Sequence, residues 1–127
     1  MKIDWKKYEN FTKVEFNCRY SGKNEMRKEF MDVLQEIRTA YNKPMVITSG
    51  FRDKTHPVEV GKGRHGEHTY GLAVDIKISG MDAMSLFVVA YRFGVRRIGL
   101  SQKGSVRFMH LGWGDKEGLF PMALWTY

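Results

Sequence analysis

Gly66-Glu67-His68-Thr69-Tyr70-Gly71-Leu72-Ala73-Val74-Asp75-Ile76 runs from a glycine-rich polar stretch into an apolar one, carrying a histidine and an aspartate seven residues apart. From Gly71 to Ile78 the residues have strand character, and small Gly71 and Ala73 let backbone or a ligand come close. Asp75 lies inside this apolar strand.

Upstream, Phe51 to Glu67 is rich in Gly, Arg, Lys and His without any period, which predicts a long irregular surface loop of the kind that carries function. Before it, Met45-Val46-Ile47-Thr48 reads as a short buried strand closed by Ser49-Gly50. From Asn24 to Tyr41 the apolar Met26, Phe30, Val33, Leu34, Ile37 and Tyr41 recur at three- and four-residue spacing, predicting an amphipathic helix that Asn42-Lys43-Pro44 ends.

Downstream, Met81 to Phe93 is apolar on most sides and predicts a largely buried helix with Gly94 as its left-handed cap. Arg97 to Leu100, the turn Ser101 to Gly104, and Ser105 to His110 predict a β-hairpin whose second strand finishes at the histidine. The tail from Gly112 to Tyr127 is turn-rich and aromatic, and no internal repeat is present.

The 127 residues suffice for one domain, and 43% hydrophobic with 28% charged residues is a globular composition. Lys and Arg outnumber Asp and Glu by 21 to 14, a net +7 that favours an acidic partner, but no basic run exceeds a pair and no nucleic-acid motif is present. We therefore expect no nucleic-acid partner. No stretch approaches the ~20 apolar residues of a membrane span, and the N-terminus lacks the apolar region of a signal peptide, so membrane insertion is not expected. Cys18 is alone and reads as a small buried hydrophobe. Met26, Met31, Met81 and Met84 read as packing, and Tyr70, Trp113, Trp125 and Tyr127 read as completing the core rather than lining a cleft.

His68, Asp75 and His110 can each bind a metal, and each is expected at the edge of a strand. Two imidazoles and a carboxylate suit catalytic Zn²⁺, whose fourth position stays open. Spacing alone also permits satisfied histidines and an aspartate bonded to backbone.

Ser49-Gly50-Phe51-Arg52, the stretch from Gly66 to Ile76, and Phe108-Met109-His110 together resemble, in order and spacing, the zinc D-Ala-D-Ala carboxypeptidase and L-alanyl-D-glutamate endopeptidase family. Glu15-Phe16-x-Cys18 and Trp125-x-Tyr127 extend the resemblance over most of the chain. The resemblance implies an α+β domain over residues 1–127, a small antiparallel sheet with packed helices, as in the fold this family shares with the Hedgehog signalling domain. It implies His68, Asp75 and His110 as zinc ligands, Arg52 as the residue that grips a substrate carboxylate or a developing oxyanion, and peptidoglycan stem peptides as substrate. Zinc so held lowers the pKa of bound water to about 7 and polarises a carbonyl.

The chain departs from the family's pattern beside the last ligand. The family usually carries an acid or histidine two or three residues before that histidine, or Asp two after it; here stand Arg107, Phe108 and Gly112. Asp115 is the leading candidate for proton carrier, followed by His65, Glu67 and His56. Gly66 also replaces the first-motif serine, and His56-Pro57 the usual His-Asn. Small size and the lack of an export signal fit a bacteriophage endolysin or virion enzyme that acts on the wall after release; a cytosolic hydrolase of wall fragments stays open, as does a non-catalytic zinc-binding module of the same fold. The oligomeric state is not legible.

Overall fold

The computed structural model describes residues 2–127. Five strands, β1 (Val46–Ser49), β2 (Ala73–Lys77), β3 (Arg97–Ser101), β4 (Phe108–Gly112) and β5 (Ala123–Thr126), form one sheet in the order β1-β2-β4-β3-β5. The first three pairings are antiparallel, as expected; β5 joins β3 in parallel. The aromatic tail thus contributes an edge strand, a pairing that its turn-rich sequence did not announce.

The helices are α1 (Lys28–Tyr41), the single turn α2 (Pro57–Val60) and α3 (Gly80–Arg92). In α1, Phe30, Met31, Val33, Leu34, Ile37 and Tyr41 are buried, the stripe expected from their spacing. It starts at Lys28 rather than Asn24 because residues 24–27 are spent elsewhere: Asn24 accepts from the Met26 amide, and the Arg27 amide donates to the Gly71 carbonyl. Asn42 closes the helix in the left-handed conformation at φ 57°, donating to Arg38.

Strand alternation divides the sheet into two faces. Val74, Ile76, Ile98, Met109 and Leu111 belong to the core cluster, which also takes in residues of α1 and α3; Asp75, Gly99 and His110 alternate with them on the other face. The expectation of a largely buried α3 is corrected: only Ala83, Leu86 and Ala90 are buried, while Met81, Met84, Val88 and Tyr91 are exposed, because the helix meets α1 and the core cluster along one side only. The packing role read for Met26 and Met31 holds, and that for Met81 and Met84 does not. Cys18 is buried as expected, and Tyr70 and Trp113 pack against the core. No helix among the described residues is long and apolar enough to cross a membrane.

Candidate metal centre

The antiparallel register sets Asp75 of β2 directly across from His110 of β4, on the face away from the helices. Such facing pairs have Cβ atoms about 5 Å apart, so the two side chains meet without any loop to position them. His110 is not at the end of its strand, as expected from sequence, but in its middle, since β4 runs on to Gly112. His68 arrives differently, from a 3-10 turn at Glu67–Tyr70 that ends at Gly71 with φ 71°. A Cβ at Gly71 would fall on the Glu25 carbonyl, so only glycine serves here.

The three side chains converge. His68 Nε2 lies 3.3 Å and His110 Nδ1 3.0 Å from the same oxygen of Asp75, Oδ1, and one potential ligand atom from each residue falls within 4.8 Å of the others. His68 Nδ1 is 2.8 Å from the Gly50 carbonyl, which can only accept; the proton is therefore on Nδ1 and the Nε2 lone pair faces inward. The Gly50 carbonyl reaches it because glycine lets the backbone cross Phe16, whose Cα would lie 2.6 Å from a Cβ at this position. Two imidazole nitrogens and a carboxylate oxygen around one point are a donor set that fits a divalent transition metal.

The two histidines differ electrically. Burial pushes His68 below the ordinary histidine range, against the pull of Asp75. For His110 burial works in the same direction, but hydrogen bonds to Asp75 and Glu67 outweigh it and raise the pKa. Asp75 is held well below the usual carboxylate range: burial opposes its charge, and the hydrogen bond from His110 with the nearness of the two imidazoles overcomes that cost.

Glu67, only 3% exposed, is the most engaged of the residues weighed as proton carriers. Its Oε1 lies 2.5 Å from His110 Nε2 and 3.0 Å from Arg97 Nε, the latter an ion pair outside hydrogen-bond geometry, and its Oε2 accepts from the Gly114 amide at 3.0 Å. His56 instead caps α2, its Nδ1 accepting from the Val58 amide. His65 faces Glu59 at 3.5 Å. Asp115 lies on the 3-10 turn Gly114–Glu117, pairs with Lys116, and is not among the residues lining the cleft at the metal-capable group.

That cleft has a volume of about 320 Å³. Arg52 and Lys62 supply positive charge to it, and Phe108, Phe120, Trp125 and Tyr127 supply rings. Trp125 and Tyr127 thus line the cleft and do not complete the core, a correction whose cause is the parallel seat of β5 beside β3. Gly99 makes that seat possible, since a Cβ there would stand 2.5 Å from Trp125 Nε1.

Arg52 donates to Ser49 Oγ and to Glu59 Oε2, both at 3.2 Å, and its guanidinium comes within 3.8 Å of Asp75. Sequence reading passed over Glu59, a loop acid with no periodic neighbour to mark it. It is fully buried, receives Arg52, Lys62 and the Gly66 amide, and is held down to about 2: burial opposes its charge and these donors prevail. Arg97 was passed over as well; its guanidinium lies over the rings of Phe120 and Trp125.

No curated protein matches the chain. The family model described as Peptidase M15 matches residues 9–112, which hold Arg52, His68, Asp75 and His110 in the α+β frame just described, and the chain belongs to that peptidase family.

Proposed function

We propose that the chain is a zinc peptidase that hydrolyses a peptide bond in peptidoglycan stem peptides, as a D-Ala-D-Ala carboxypeptidase or an endopeptidase, in the setting of a phage lytic or virion-associated enzyme. The observation that carries this reading is the convergence of His68 Nε2, Asp75 Oδ1 and His110 Nδ1 on one point at a cleft that also receives Arg52. His68, Asp75 and His110 would hold the zinc, which when bound supplies a Lewis acid to polarise the scissile carbonyl.

The remaining work falls to the protein. Arg52 is suited to grip a substrate carboxylate through two parallel hydrogen bonds, and Glu59 and Ser49 hold its guanidinium in place beforehand. Lys62 adds positive charge for a carboxylate-bearing peptide, while the rings of Trp125 and Tyr127 offer apolar surface to its aliphatic parts. Asp115, off the cleft, has no part in this scheme.

Zinc content of the purified protein, measured with peptide release from isolated peptidoglycan for wild type and His68→Ala, tests the reading. One zinc per chain and release that vanishes in the variant is the expected result. Gly112, standing where the family often has aspartate, favours a second reading, a zinc-binding module retired from catalysis; zinc bound without release from several wall types would establish that instead. A chain that binds no zinc would overturn both.

A further inference from the structure

We propose that Glu67 is the positioning residue of the metal centre: it takes the proton of His110 Nε2 in a hydrogen bond and so commits Nδ1 to the metal, from the space that a side chain at position 112 would fill. The inference rests on the metal reading above and adds to it a residue outside the ligand set. A carboxylate accepts, so without a metal both ring nitrogens of His110 donate, Nε2 to Glu67 Oε1 at 2.5 Å and Nδ1 to Asp75 Oδ1 at 3.0 Å. A metal held by the three ligands would take the place of the Nδ1 proton and leave the one on Nε2, where Glu67 holds it. Histidine ligands are commonly fixed in this way by a carboxylate on the far nitrogen.

Glu67 reaches that place only because two glycines clear it. A Cβ at Gly112 would fall on the Glu67 carboxylate, and a Cβ at Gly114 would stand 2.8 Å from Oε2. Residues 110 and 112 share a face of β4, so an acid two positions after the last histidine would send its carboxylate toward the same ring. Glu67 and a side chain at 112 therefore compete for one volume. This chain gives that volume to Glu67 and secures it with the Gly114 amide and the Arg97 guanidinium.

The test measures zinc affinity by chelator competition for wild type, Glu67→Ala, Glu67→Gln and the double variant Glu67→Ala/Gly112→Asp, with long-range ¹H–¹⁵N NMR of His110 in the zinc-loaded protein. Expected are a ~10- to 100-fold loss of zinc affinity in Glu67→Ala, affinity within a few fold of wild type in Glu67→Gln, which keeps an acceptor, and recovery in the double variant. In wild type the NMR spectrum should show His110 protonated on Nε2 and ligated through Nδ1. A folded Glu67→Ala that binds zinc as wild type does, or a wild-type His110 ligated through Nε2, would overturn the proposal and leave the metal reading intact. Wild type that binds no zinc would bring down the metal reading and this inference with it. Should Glu67→Ala not fold, the Glu67→Gln affinity and the wild-type tautomer still decide.

Discussion

The part of the cleft that carries Arg52 and Lys62 is tied from behind to one buried carboxylate, Glu59, whereas the part built by Phe108, Trp125 and Tyr127 is held by ring against ring. The first lies on a loop with a single helical turn and depends on a few charged hydrogen bonds, each strong and each lost whole when a partner goes. The second lies on β4 and β5, with Trp125 also packed 5.1 Å from the His110 ring, and depends on many weak contacts that degrade gradually. The same cleft is thus brittle on its polar side and compliant on its aromatic side.

Glu59→Ala should break the polar side outright, leaving Arg52 without its main partner, and cost about 2–3 kcal/mol in denaturant unfolding. Acid should imitate it. The carboxylate ordinarily titrates near 4.5 and is depressed to about 2 here, so its stabilisation is complete above about pH 4.5 and is lost as pH falls toward 2. Hydrogen exchange of the Gly66 amide should quicken over that interval before the strands open; uniform exchange across loop and sheet would contradict the comparison.

On the aromatic side, Gly99→Ala should displace the Trp125 ring at about 1–3 kcal/mol, visible as a shift in tryptophan emission with the metal-capable residues still in register. The smallest effect belongs to Lys62→Ala. Its side chain is 40% exposed and Glu59 retains Arg52 and the Gly66 amide, so less than about 1 kcal/mol should be lost, and raised salt should shrink even that. A loss as large as that of Glu59→Ala would show that Lys62, not Arg52, anchors the loop.

What could be read in the sequence follows the range of the interactions. The stripe of α1 and the strand around Asp75 are local periodicities, so both were legible; His68, Asp75 and His110 stood out by residue type and strand position, and it was the family resemblance that made them a ligand set. Contacts between distant segments were not. Nothing near Ala123 announces a parallel partner 26 residues earlier at Arg97, and Trp125 therefore passed for core. Glu59 went unmarked and Glu67 ranked below Asp115 because burial of a carboxylate is decided by the donors that fold around it, and those came from Arg52, Gly66, Arg97 and Gly114. Gly112 did carry a signal, read first as a missing acid; only the folded sheet reveals which other side chain uses the room.

The sheet order also bears on how the chain is made. A ribosome releases β3 before β4, yet β4 must slide between β2 and β3 to give either of them its hydrogen bonds on that side. Until residue 112 has left the exit tunnel, β2 has β1 alone as its neighbour, and Asp75 has no His110 to share its charge. The nascent chain consequently keeps an open edge on β2 until β4 arrives, and the metal-capable group assembles in the same event that joins β2 to β3.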